Sequence, residues 1–231
     1  MKRNFIALLL TLVLILCSTV GYAYEIGDIV QFGRYPQVEL STREQMNITL
    51  GKKTMPTEPI SWIVLDVKND ILLLLSEKVI TKAFSSEWDC EAPWLKSGMP
   101  EWLNGEMLQY LTKSERTAIV ERYKKDTDSM DWFFLLNADE VEKYLINSSV
   151  NSEHTLAVST DYAFFVRGVT YNLKDKTTNW WLRSADGTPT AVLNGKIAGK
   201  NHGFSSIYSG IGVRPAVWVS STSLFALNLL D

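Results

Sequence analysis

The chain is poor in the residues that usually announce a chemistry: its 231 positions hold two cysteines, two histidines and seven prolines. Beyond the first 23 residues only Cys90 remains, so no intramolecular disulfide can brace that part and its fold must rest on apolar burial. Without a local histidine partner, Cys90 reads as a small apolar filler rather than a nucleophile. His154 and His202 stand in separate polar segments, neither at helical spacing from another ligand-type residue, so no metal site is expected. A G-x-S-x-G elbow, a phosphate loop and a G-x-G-x-x-G turn are all missing, which removes the familiar hydrolase and nucleotide signatures. No cofactor is expected and no catalytic residue stands out. Nor is there an excess of cations: the formal net charge of −3 argues against nucleic acid, whose binding needs clustered Lys and Arg.

What is present is ordinary for a globular protein, with 46% hydrophobic and 21% charged residues. The first 23 residues form the exception. Lys2 and Arg3 precede a near-continuous apolar run, and Gly21 and Ala23 put small residues three and one before a cut, as in a secretory signal. Cleavage is expected before Tyr24. The run from Phe5 to Val20 covers 16 residues, short of the roughly 20 that cross a bilayer. Leu16 before Cys17 disfavours lipidation. The expected organisation is therefore a signal over residues 1–23 and a single domain over 24–231. It is exported, to the periplasm, the cell surface or the medium, with no membrane span after cleavage.

Residues 28–33 read as a first strand ended by glycine, and residues 34–59 as a polar loop or edge hairpin. Residues 60–67 and 71–76 are apolar β-type runs joined through Lys68-Asn69-Asp70, a hairpin near a sheet centre. Residues 100–111 open with Pro100 and carry Leu103, Met107, Leu108 and Leu111 on one face of a helix. The spacing of Thr112 and Glu115 predicts a capping box and a second helix reaching Glu121 or Tyr123. Residues 133–136 are a short buried strand, and Asn137 with Glu140 starts a third helix to about Leu145. Strand patterns return at 180–184, at 191–193 and 196–198 around Asn194-Gly195, and at 212–219. Strands at both ends and helices between them give an α+β domain whose terminal strands pair in one mainly antiparallel sheet.

Six motifs in order carry a resemblance: Ile60-Ser61-Trp62-Ile63-Val64-Leu65, Trp102-Leu103-Asn104, Phe133-Phe134-Leu135-Leu136-Asn137, Thr160-Asp161-Tyr162-Ala163, Trp180-Trp181-Leu182-Arg183-Ser184, and Gly212-Val213-Arg214-Pro215-Ala216-Val217-Trp218. Over roughly residues 27–220 the chain resembles a family of bacterial exported domains of unknown function with W-W-L-R-S and G-V-R-P-A hallmarks. That family is in turn similar to C-type lectin-like domains, including the formylglycine-generating enzyme branch. The resemblance implies a C-type lectin-like fold with an irregular, ligand-facing loop region, and no established reaction.

Arg183 and Arg214 sit in apolar, aromatic strands, where a guanidinium needs carboxylates or carbonyls for its five donors. Asp161 is the first expected partner and Asp131 the second. The other reading has one arginine gripping an anionic ligand. Trp180 and Trp181 point to opposite faces of a strand, so at most one can join a given platform, and Trp181 is expected to hold the fold. Residues 126–131 look like a calcium loop, but the glycine is missing and Asn137 stands at the twelfth position, so a solvated acidic turn is expected. The Gly, Ser, Asn and aromatic mixture of residues 199–210 suits an adaptable binding loop and nominates Asn201, His202, Phe204 and Tyr208 as ligand-binding residues. A second candidate loop runs from Trp88 to Trp94. The expected function is a non-catalytic exported binding or interaction module for a glycan, a cell-wall component or a protein. The alternative is a carboxylate-dependent enzyme of cell-wall or glycan metabolism, since sequence gives no distances between acids.

Overall fold

A computed structural model describes residues 24–38, 40–82, 92–199 and 210–229. The expected signal, Cys17, Cys90, Trp88, Asn201, His202, Phe204 and Tyr208 lie outside the described residues. Within them the chain is a mixed α+β fold whose largest sheets have five strands each.

The central sheet runs β1 (Ile29–Tyr35), β2 (Glu58–Lys68), β3 (Ile71–Ser76), β15 (Ala216–Ser220), β8 (Phe133–Phe134), with every neighbouring pair antiparallel. The expected hairpin forms as β2–β3, with Asn69 taking the left-handed conformation at φ 55° that its short polar side chain tolerates. Leu72, Leu73, Leu74 and Leu75 are all buried, so β3 is covered on both faces, which is why it reads as a continuous apolar run. The terminal strands share this sheet but do not pair. The β2–β3 hairpin stands between β1 and β15, because it fills the centre and leaves each terminal strand a different flank.

A second sheet runs β13 (Lys196–Ala198), β12 (Ala191–Leu193), β11 (Trp180–Trp181), β14 (Gly212–Val213), β5 (Thr81–Lys82), antiparallel except for β11 with β14. Its β12–β13 turn has Asn194 and Gly195 at φ 49° and 77°, the two positive values a tight hairpin needs. A third sheet orders β10 (Thr177–Thr178), β9 (Ala157–Ser159) and β4 (Lys78–Val79), and β6 (Arg122–Lys124) pairs with β7 (Ser129–Asp131) as a ribbon. Residues 212–219, expected as one strand, divide between two sheets. Pro215 has no N–H for a ladder, and around it the chain leaves β14 for β15 while the Pro215 carbonyl accepts from Ser76 N at 2.9 Å.

The helices follow their caps more closely than their apolar stripes. Capping boxes at Thr112/Glu115 and Asn137/Glu140 start helices Lys113–Ala118 and Ala138–Val141, the second continuing as a wider turn over Glu142–Ile146. The first stops before Glu121 because Ile119 bridges to Val219 of the central sheet. Residues 100–111 are not one helix: Met99–Asn104 ends at Gly105, and a short 3-10 turn, Met107–Tyr110, follows. A Cβ at Gly105 would lie 2.7 Å from the Glu101 carbonyl oxygen, so this turn requires glycine. Residues 34–59, expected to be loop or hairpin, hold the helix Thr42–Thr49, capped by Ser41 and Glu44. A last helix, Ser221–Asn228, is anchored by Asp70, whose carboxylate accepts from Thr222 N at 3.1 Å and from the Ser221 hydroxyl.

Candidate functional site

Arg214 leads from β14 into β15, where β3 also gives way to β4. Its side chain is fully buried and makes no ion pair among the described residues, although the charge of Glu77 acts on it; Nε donates to the Ser76 carbonyl at 2.8 Å, Nη1 to His154 O at 2.6 Å and Nη2 to Glu77 O at 3.3 Å. The guanidinium carbon sits 5.0 Å from the Trp180 ring centroid, and Trp180 donates its indole N–H to Thr155 O. One planar fork thus ties together three segments that part company here. Burial lowers its pKa to about 9, still well above neutral, so it stays charged at pH 7.

Arg183, just beyond β11, is held by acids. Nε and Nη2 grip Asp126 at 2.9 and 3.1 Å, and Nη1 donates to Glu140 at 2.7 Å and to Leu135 O at 2.5 Å. Burial alone would depress its pKa, but the charge and hydrogen bonds of Glu140 and then Asp126 raise it. Burial likewise resists ionisation of Asp126, and the hydrogen bonds and charge of Arg183 outweigh it, leaving the pKa lowered. Lys124 Nζ lies 3.6 Å from the Phe134 centroid, on a ring that Arg183 also faces at 5.5 Å, and burial lowers its pKa to about 8.

The expected partners are placed elsewhere. Asp161 is exposed and stands 3.6 Å from Lys176, because it opens the turn Tyr162–Val166 at the surface. Asp131 accepts from the Trp94 indole at 3.0 Å and from Ser129 at 2.8 Å. Trp180 and Trp181 are both buried, so neither ring offers an exposed platform. In the Trp102-Leu103-Asn104 motif, Asn104 accepts from the backbone N–H groups of Trp132 and Phe133 and donates to Phe133 O, fastening helix to sheet.

What the structure adds is an aromatic cluster whose polar atoms converge. Around Tyr35 at the end of β1 stand Tyr110 at 5.0 Å, Tyr162 at 6.1 Å and Trp102 at 6.4 Å between ring centroids, all edge-on. Thr81 hydrogen-bonds the Tyr35 hydroxyl, and Arg167 donates to the Tyr162 hydroxyl. Burial first raises the pKa of all three tyrosines. The Tyr162 hydroxyl adds to this at Tyr35 and Tyr110, while Arg167 opposes it at each of the three. The charge of Arg167 thus acts on all three hydroxyls and its hydrogen bond on Tyr162, with Glu106 acting on Tyr110 and Tyr162. Trp102 and Tyr110 are half-buried, and the buried Trp102 indole N–H has no acceptor among the described residues. Trp102 and Tyr162 stand in the quoted motifs, but nothing in sequence brings Tyr35 and Tyr110 beside them.

This cluster adjoins one described flank of each stretch that holds a candidate loop. Lys82, which precedes position 83, pairs with Gly212, and Gly210 accepts from Thr170 N at 2.9 Å, three residues after Arg167. Lys82 and Gly210, one described flank of each of the stretches 83–91 and 200–209, thus lie close to Thr81, the partner of Tyr35; the other flanks, Ala92 and Gly199, lie beside Trp94 and after β13 at the far edge of the same sheet. Trp94, closing the first stretch, is buried.

His154 is half-buried; burial and then Arg214 lower its pKa, and it lies 3.9 Å from Glu153. Among the described residues no group of three or more His, Cys, Asp and Glu side chains is placed to hold a metal ion. Asp126, Asp128 and Asp131 are engaged separately, with Arg183, Tyr123 and Trp94. No described helix is long and apolar enough to cross a membrane.

No curated protein and no solved structure matches the chain. A family profile does match over residues 69–221, a span that includes Trp180 to Ser184 and Gly212 to Trp218, so the chain belongs to the family described as a domain of unknown function (DUF6273).

Proposed function

We propose that this chain is a non-catalytic binding or interaction module, exported by a bacterium, with a C-type lectin-like arrangement and its ligand end at the Tyr35, Tyr110, Tyr162 and Trp102 cluster. The observation that carries this reading is the pairing of Gly212 with Lys82, which brings one described flank of each candidate-loop stretch beside that cluster. The half-buried rings of Trp102 and Tyr110, backed by the buried Tyr35 and Tyr162 and by Arg167, suit a ligand with both apolar faces and hydroxyl or carbonyl groups, such as a glycan or cell-wall fragment. Asn201, His202, Phe204 and Tyr208 would meet it from the second loop. The alternative, a carboxylate-dependent enzyme, needs an acid held protonated by its surroundings. Asp126 is pushed the opposite way by Arg183.

The test is a glycan and cell-wall array on residues 24–231, repeated with Tyr208→Ala/His202→Ala. Binding by the parent and a loss of roughly 1–3 kcal/mol in the double variant at unchanged melting temperature are expected, the scale of one stacked ring and one hydrogen bond. Trp181→Ala should lower the melting temperature instead. Array ligands that are bound and released as cleaved products would favour the enzyme.

A further inference from the structure

Beyond Tyr110 the chain turns into the helix Lys113–Ala118, and between that helix and Trp132 lies an open groove of about 640 Å³, a size that suits a small ligand. Half-buried Ile119, Val120 and Trp132 line it together with Lys113, Arg116 and Glu121. Lys113 and Arg116 are three residues apart and so share one face of the helix. Glu115 lies about 200° round the helix from Lys113, and it is engaged in the cap, accepting from Thr112 N at 2.6 Å. The charges in the groove therefore do not cancel. Two cations stand against the one carboxylate of Glu121, and neither cation forms an ion pair among the described residues.

The polar groups are set by bonds to the protein itself. Arg116 Nε donates to the Leu111 carbonyl at 3.1 Å, which fixes the plane of the guanidinium and leaves its Nη pair as a two-pronged donor. The Trp132 indole N–H donates to Glu121, which orients the ring and occupies the groove's acid. We propose that this groove binds a carboxylated sugar, with the Arg116 Nη pair and Lys113 on the carboxylate and Trp132 against the sugar ring. A carboxylate matches the planar spacing of the guanidinium fork. The indole supplies a wall for the C–H groups of a pyranose. An acidic peptide would offer the cations the same carboxylate but no rigid C–H face for the indole. The groove is separate from the tyrosine cluster and its binding does not depend on it.

The test is isothermal titration calorimetry of residues 24–231, which contain every described element of the fold, with tri-galacturonate and with its methyl ester, which keeps the sugar and removes the charge. The parent is expected to bind the acid and not the ester, more weakly as salt rises. Lys113→Gln and Arg116→Gln should each weaken this by roughly tenfold or more, the scale of one charge-assisted hydrogen bond. Arg116→Lys keeps the charge without the fork and should fall between. If Arg116→Gln melts below the parent through loss of its bond to Leu111, Lys113→Gln alone decides, since that side chain is exposed. Tyr208→Ala/His202→Ala should bind the acid like the parent. A parent that binds neither compound or both equally, glutamine variants that bind like the parent, or loss of binding in the loop double variant would overturn the proposal. So would tighter binding of triglutamate, which would assign the groove to an acidic peptide.

Discussion

Replacing Arg214 by alanine tests whether one buried cation holds the β3–β4 corner and the turn Ser152–Thr155 to the β14–β15 corner. The substitution deprives Ser76 O and His154 O of donors at 2.8 and 2.6 Å, and Glu77 O of a weaker one at 3.3 Å. Each short bond lost to a buried acceptor costs about 1–3 kcal/mol. The Trp180 face loses its cation as well, worth about 2 kcal/mol in a desolvated setting. Water entering the vacated space offsets part of this, so a net loss of about 3–5 kcal/mol is expected. For a domain of this size that lowers the melting temperature by roughly 6–20 °C. Arg214→Lys keeps the charge but reaches at most one of the three carbonyls, and should fall between parent and alanine. Differential scanning calorimetry of the three proteins decides. An alanine variant melting within about 2 °C of the parent would refute the clamp and release Arg214 for ligand binding.

Asp126→Asn removes a carboxylate whose folded pKa lies below its unfolded value, so its contribution is present above about pH 4 and fades as pH falls through the folded value. The variant should therefore melt lower than the parent at pH 6 and approach it near pH 3; a gap independent of pH would contradict the ion-pair assignment. In Gly212→Ala the new Cβ would come within 2.1 Å of Val79 Cγ1, and chemical denaturation should show a loss of about 1–3 kcal/mol. Thr112→Ala removes the cap of Lys113–Ala118 and should cost about 0.5–2 kcal/mol on the same assay, with native-state hydrogen exchange faster there.

Legibility followed the range of the interaction. The β2–β3 hairpin, the Asn194-Gly195 turn and two capping boxes are written in short runs of consecutive residues, and each appears where the pattern places it. The helix Thr42–Thr49 carries the same Ser-x-x-Glu signal at Ser41, but its polar surroundings read as loop. The break at Gly105 is decided by a close approach to a backbone carbonyl that apolar periodicity cannot register. Long-range choices were hidden. Arg183 finds Asp126 and Glu140, 57 and 43 positions away, rather than the nearer Asp161. Arg214 takes carbonyls, which every residue owns and no composition reveals. The tyrosine cluster depends on the ends of β1 and two short helical turns meeting, so its members look unrelated in the chain.

The location of the ligand end is tested most directly by backbone amide chemical-shift mapping of residues 24–231 titrated with a peptidoglycan fragment or another array ligand. Shifts concentrated at Tyr35, Thr81, Tyr110, Tyr162, Gly210 and Gly212 are predicted. Shifts confined to the β6–β7 ribbon and the surroundings of Arg183, with the cluster silent, would contradict that placement.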